Sequence, residues 1–365
     1  SCIGHWIANT NDFSVISKKF NWLHKTGITW HQKLSFSWEK WGIKHDGKGN
    51  VTFKPRPIID QSIELAKQLD IRIIGDLTMG YVQTDKKHHG QLMALTAGED
   101  ASEKSSSKAV TNAKSIRLKG RGSAASPFYG TEEFTKTLHD YAYTLVSHYK
   151  DRIHYWCGDN EIDLHSGQGK EPEAIVYSAA AKAIYNAMKE ADPKATFISG
   201  SLCRNTEISQ LLIKHNFAEY CDIFDVHAHP AEAPDIDVPS IGNADIEGYN
   251  IVLQMPGKPA MYGEVSAPLA HSYDGVFGQA KAIPKQLAWA LKRDRVKLFS
   301  YLVPYSNGAN LGFCNIYLDP LPAACVVNTA SHLIDGKKIL DDIDLPQGVQ
   351  QLRVEDGDSD ILLLW

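Results

Sequence analysis

The sequence predicts an α/β protein, a (β/α)8 TIM barrel with a short C-terminal β extension. Three observations carry this reading. Eight short apolar runs alternate with helical patterns at a repeat of about 40 residues, as expected of parallel strands joined by crossover helices. Two of the runs end in a carboxylate, at Glu161 and Glu264, on the edge where parallel barrels bind ligands. At 365 residues with 43% hydrophobic content, the chain can bury so large a core.

Composition narrows the function. A net charge of −5 and 22% charged residues argue against general nucleic-acid binding and against disorder. No run reaches 18 apolar residues, so no membrane span is expected. The six cysteines show neither CxxC nor finger spacing, and no cofactor or resident metal is expected. The chain starts on Ser1-Cys2-Ile3 without a charged and apolar leader, which fits a cytoplasmic protein or a mature form whose signal was removed. Nothing in the sequence speaks to an oligomeric state.

Ser1 to Ile7 reads as the first strand, and Phe13, Ile16, Phe20 and Leu23 recur at helical spacing until Gly27. Ile28 to Ser37 is the second strand, ending in Trp38. Gly42 to Lys54 is a two-stranded excursion turning at Asp46-Gly47-Lys48-Gly49. Ile58 to Leu69 is helical and Ile71 to Leu77 is the third strand. Residues 84–125 lose all apolar periodicity and carry eight Lys or Arg against four acids, a basic loop insert of net +4.

Alternation then resumes. Glu132 to Lys150 is helix and Ile153 to Gly158 the fourth strand. Ala174 to Ala191 is helix, closed by Asp192-Pro193, and Thr196 to Ser201 the fifth strand. Ile208 to Tyr220 is helix, Ile223 to His227 the sixth strand, and Asp245 to Met255 helix. Pro259 to Glu264 is the seventh strand, Ala280 to Lys292 helix, Val296 to Val303 the eighth strand and Ala323 to Ile334 the last helix. Val349 to Trp365 reads as strand, turn, strand. The barrel is assigned to residues 1–340 and the β extension to 341–365.

Two carboxylates at the exits of the fourth and seventh strands are what a glycoside-cleaving site needs: one protonates the leaving oxygen, the other attacks or supports the anomeric carbon. Candidate donors to Glu264 are His229 and Tyr301, with His31 and Lys33 on the second strand, and His227 stands beside them. Asn160 adjoins Glu161 and can bond a sugar hydroxyl. Trp38 and Tyr305, with Trp6 and Trp156, follow or end strands and could stack on sugar faces, with core packing the competing assignment for each and Trp156 expected to point into the wall. Arg117 and Arg121, with their basic neighbours in the insert, could flank the cleft and favour a polysaccharide bearing sulfate or uronate groups. Neutral β-linked glycans are the fallback. A polysaccharide substrate implies a secreted or periplasmic protein.

With these residues in hand, the chain resembles clan A glycoside hydrolases, nearest to family 39. The resemblance rests on Tyr149 to Trp156 followed by Asn160-Glu161, Phe224-Asp225-Val226 with His229-Pro230, Tyr262-Gly263-Glu264, and Gly27 to Trp30 with Phe36 to Trp38, over roughly residues 20–335 in order and spacing. It implies a retaining double displacement, with Glu161 as acid/base, Glu264 as nucleophile and Asn160 on the sugar's 2-hydroxyl. The chain departs from the family at Asp159 and Ile162, which flank Asn-Glu in place of Trp and Pro. Lys33 stands for Arg, and Ala231 for Tyr. Two rivals remain: a metal-dependent barrel hydrolase built on the His227/His229 pair, with His5, His31, Asp76 or Asp225 as further ligands, and a non-catalytic carbohydrate-binding barrel.

Overall fold

The computed structural model describes residues 2–4, 11–34, 38–45, 50–78, 132–162, 170–203, 206–227, 250–251, 253–255, 257–265, 275–293, 295–301, 313–314, 317–349 and 351–364. After β1 (Cys2–Gly4), Asp12 caps α1 (Phe13–Lys25) by accepting the Ser14 N–H at 2.8 Å. Ile16, Phe20 and Leu23 bury one face of that helix, and Gly27, at φ 69°, turns the chain out of it. β2 (Trp30–Gln32) is shorter than the predicted strand because Lys33 adopts φ 56°, a left-handed conformation through which a strand cannot continue. Trp38 opens a single helical turn, α2 (Trp38–Trp41), which the sequence reading missed.

β3 (Ile43–His45) and β4 (Val51–Phe53) form the antiparallel excursion, and α3 (Pro57–Gln68) leads to β5 (Arg72–Asp76). The basic insert lies outside the described residues. α4 (Glu132–Tyr149), β6 (Tyr155–Cys157), α5 (Lys170–Ala191) and β7 (Thr196–Ile198) follow. α6 (Thr206–Lys214) is shorter than predicted: Asn216 is left-handed at φ 62° and the chain continues as a 3-10 turn over Phe217–Tyr220. β8 (Phe224–His227), β9 (Ala260–Val265), α7 (Gly275–Leu291), β10 (Val296–Tyr301) and α8 (Pro322–Ile334) complete the alternation.

Eight strands form one parallel sheet in the order β7-β6-β5-β2-β1-β10-β9-β8. Its two outer strands also meet: isolated parallel bridges join Ile198 to Ile223 and Leu202 to Val226, and the Ser199 N–H donates to the Ile223 carbonyl at 2.9 Å.

Side-chain alternation sorts the strands into two layers. Trp30, Ile74, Cys157, Ile198 and Met261 pack together on one side of the sheet, with Tyr155 and Leu298 against them. The intervening residues, among them Ile73, Trp156, Phe197, Tyr262 and Phe299, join the larger core with the helices. Trp156 sits in that wall against Trp41 and Tyr149. A Cβ on Gly75 would lie 2.4 Å from its ring.

The C-terminal segment forms a three-stranded antiparallel sheet, since β11 (Ile339–Leu340) joins the predicted pair, β12 (Gln351–Asp356) and β13 (Ser359–Leu364). Leu352 and Val354 belong to the larger core, so this sheet packs on the main body.

Candidate active site

Three backbone irregularities bring the charged side chains together. On β2, Trp30 and Gln32 share one side and His31 takes the other, so alternation alone would send Lys33 outward with His31; its left-handed φ of 56° lets Nζ instead reach Asn160 and Glu264. Glu161 is also left-handed, at φ 48°, in a loop stapled to its neighbour: its N–H donates to Ser201 Oγ at 2.8 Å, and the Ser201 N–H donates to the Asp159 carbonyl at 2.8 Å. On β9, Tyr262 pairs with Val226 and Glu264 with His227, so one step on β8 spans two on β9. The same extra residue appears against β10. This β-bulge turns Glu264 away from the wall side of Tyr262 to the side of Asp225 and His227. Left-handed non-glycine residues cost on the order of 1–3 kcal/mol each and persist where packing over-determines them, a pattern common at functional sites.

His227 sits at the centre and is fully buried. Its Nδ1 lies 3.1 Å from Glu161 Oε1 and 3.5 Å from Glu264 Oε2, so one ring nitrogen faces both carboxylates. Behind it, Nε2 is 3.9 Å from Asp225 Oδ2. Lys33 Nζ is 3.4 Å from the other oxygen of Glu264 and bonds the side-chain carbonyl of Asn160. Glu264 is 6% exposed and Glu161 19%, so the first is sunk in the site and the second reaches its opening.

At about 4 Å and an effective dielectric near 20, two like charges repel by roughly 4 kcal/mol. The buried carboxylates therefore need compensating cations, and Lys33 and His227 supply them. Burial alone would lower the pKa of His227. The charge of Glu264, the bond to Glu161 and the charge of Asp225 outweigh it and raise the pKa above the ordinary histidine value. Lys33 behaves alike: burial opposes its charge, but Glu264, Asp225 and Asp76 raise its pKa.

Burial pushes Asp225 up to about 6 and Asp76 up to about 7. A carboxyl whose folded pKa exceeds the unfolded value of 3.8 holds its proton more tightly in the native state, so Asp76 draws stability down as pH rises from about 4 to about 7. Asp76→Asn is expected to remove that slope. The gap in urea midpoint between variant and parent should widen in the variant's favour from pH 5 to pH 8; a constant gap would refute the assignment.

One atom each of Glu161, His227 and Glu264 lie within 4.8 Å of one another, a spacing that could also hold a metal ion. The ammonium of Lys33 already balances Glu264 from the other side, which favours an acid–base set. The partner expected for His227 in a metal pair, His229, lies outside the described residues, as do Trp6, Tyr305, Arg117 and Arg121.

Of the residues singled out in the sequence, Glu161, Glu264, Asn160, Lys33 and His227 converge. Three do not. His31 faces α1, its ring edge-on to Phe20 at 5.7 Å. Tyr301 shares the wall side with Phe299 and packs between it and Phe313, at 4.9 and 4.7 Å. Trp38 stacks on Tyr141 at 4.1 Å and donates Nε1 to the Thr78 carbonyl at 3.1 Å. Each is held by core packing away from the carboxylates. Asp76 entered the sequence reading as a spare metal ligand, and Asp225 as that and as part of the Phe224-Asp225-Val226 motif, neither with a role in the acid–base site; a lone acid within an apolar strand was the signal for their burial beside it.

Solved structures share this architecture. A family 39 glycoside hydrolase from the gut symbiont Bacteroides cellulosilyticus WH2 superposes on 100% of this chain and 69% of its own, with TM-score 0.67 and 14% identity. The chain shares its fold with these solved glycoside hydrolases. An endo-1,4-β-mannanase from Rhizomucor miehei matches 91% of this chain and 94% of its own at TM-score 0.59 and 15% identity. A family 2 β-galacturonidase from Eisenbergiella tayi, bound to galacturonate, matches 91% of this chain but only 50% of its own, at TM-score 0.53 and 14% identity. At these identities the likeness is one of fold. No protein-family model matches the sequence, and no curated protein matches it.

Proposed function

We propose that the protein is a retaining glycoside hydrolase, with a (β/α)8 catalytic barrel over residues 1–340 and a β extension over 341–365. The bridges between β7 and β8 support closure of the eight-stranded sheet into a barrel. The observation that carries the activity is the approach of Glu161 and Glu264, with an oxygen of each within 4.8 Å and a shared imidazole between them. Retaining sites hold their carboxyls about 5 to 5.5 Å apart, whereas inverting sites leave roughly 6.5–9.5 Å for a water.

In the first step Glu161 gives its proton to the glycosidic oxygen while Glu264 attacks the anomeric carbon. The bond to the leaving sugar breaks and a glycosyl ester forms on Glu264. In the second step Glu161 takes a proton from water, whose oxygen attacks the same carbon and frees Glu264. Lys33 keeps Glu264 ionised for the first step. Because an ammonium only donates, Lys33 holds the carbonyl of Asn160 and leaves the amide hydrogens for a sugar hydroxyl.

For substrate we favour β-linked polysaccharides bearing uronate or sulfate groups. The net +4 of residues 84–125 supports this, as do structural neighbours described as a β-galacturonidase and a β-glucuronidase. Such a substrate is met outside the cytoplasm, which favours a secreted or periplasmic protein. The test is incubation with acidic and neutral polysaccharides while proton NMR follows the first anomer released. Retention of configuration is expected, with rates on acidic glycans that fall as salt rises. An inverted first product would overturn the mechanism, and an absence of cleavage on every glycan the activity. Equal, salt-insensitive rates on neutral glycans would overturn the substrate class.

A further inference from the structure

Asp225 touches three parts of the site while standing behind it. Its carboxyl is 1% exposed and fills the space beside Gly263: a Cβ built there would lie 2.1 Å from Oδ1 and 2.5 Å from Oδ2. The Gly263 backbone lies against that carboxyl, and its N–H is among the groups that pull the carboxyl's pKa down. Gly263 falls within the bulge, between Tyr262, paired with Val226, and Glu264, paired with His227. Any side chain at 263 would collide with Asp225, so glycine and aspartate are matched across the two strands. Asp225 is itself fixed, its N–H donating to Ser199 Oγ at 3.0 Å and its carbonyl accepting the Leu202 N–H at 3.1 Å. On its far side Oδ2 faces His227 Nε2 at 3.9 Å.

We propose that Asp225 is a positioning residue for the cleavage reaction: it pins the bulge at Gly263 that aims Glu264, and it supplies the charge behind His227 that holds the imidazole cationic between Glu161 and Glu264. The inference rests on the glycosidase reading for its kinetic consequence, but not for its structural one. The charged groups facing His227 are Glu161 from the loop after β6, Glu264 from β9, Lys33 from the end of β2 and Asp225 from its own strand. In the proposed mechanism Glu161 meets the leaving group, Glu264 attacks, and Lys33 contacts both Glu264 and Asn160, whereas Asp225 stands behind the imidazole. Removing it therefore alters the imidazole without removing a reacting atom. Its buried carboxyl, whose pKa is raised to about 6, stays ionised at neutral pH beside the cations of His227 and Lys33.

The test compares the full chain with Asp225→Asn, which keeps the shape that fills the space beside Gly263 but loses the charge. Nitrogen-15 NMR of the imidazoles is expected to show His227 losing its proton at least one pH unit lower in the variant. The kcat should fall about 10- to 100-fold with KM within threefold, and the alkaline limb of the kcat profile should move down with the histidine. An unchanged His227 titration would overturn the proposal. The titration also stands if no glycoside is cleaved, so a failed activity is told apart from a failed positioning role. Should the variant not fold, the Gly263 amide of the parent protein decides: its shift should titrate with the Asp225 carboxyl, and a shift flat from pH 4 to 8 would overturn the proposal.

Discussion

Glu264→Gln is expected to lower kcat/KM for a β-glycoside by about ten-thousand-fold or more while the fold and substrate affinity persist. The amide is isosteric and can still contact Lys33 and His227, but it cannot form the glycosyl ester, and loss of a covalent nucleophile costs effects of this order. Truncation to glycine gives a sharper readout. Azide entering the vacated space attacks the face that Glu264 would have attacked, so the glycosyl azide should form with configuration inverted relative to the substrate. A Glu264 variant with more than one per cent of parental activity, or an azide product of retained configuration, would remove this residue from the nucleophile's role.

Glu161→Gln should give the complementary pattern. Protonation of a poor leaving group contributes roughly 100- to 10,000-fold, so hydrolysis of a natural glycan should fall by about that factor. A dinitrophenyl glycoside, whose leaving group needs no proton, should react with Glu264 almost as fast as in the parent and release a burst of phenol. Turnover would then stall at the ester, because the variant has no base to activate water. Azide, which needs no base, should restore turnover and give a product of retained configuration. Equal losses on both substrates would mean that Glu161 serves structure and not proton transfer.

Much of this was legible in the chain. The eight strand runs and their helices follow from apolar periodicity, and the two glutamates stand out because they end apolar runs at a ligand-binding edge. What periodicity could not show is where it breaks. Lys33 and Glu161 adopt left-handed backbone at residues that carry a Cβ, and the extra residue on β9 appears only in the pairing of Val226, Tyr262 and Glu264. Tyr301 and His31 were candidate donors because their strands lead to the site, but each keeps the alternation of its strand and faces the wall. Trp38 was read as a strand end, but left-handed Lys33 closes β2 early and leaves the tryptophan to start a helical turn.

The single nitrogen of His227 that faces both carboxylates acquires a meaning over a whole turnover. In the resting site the imidazolium divides itself between an acid and an anion. In the proposed double displacement Glu264, tied up as an ester, carries no charge, and at that moment Glu161, having surrendered its proton, becomes the anion. The cation need not travel to follow the negative charge across the site, because it already stands equidistant enough to serve either bank, and the two half-reactions can share one electrostatic fulcrum.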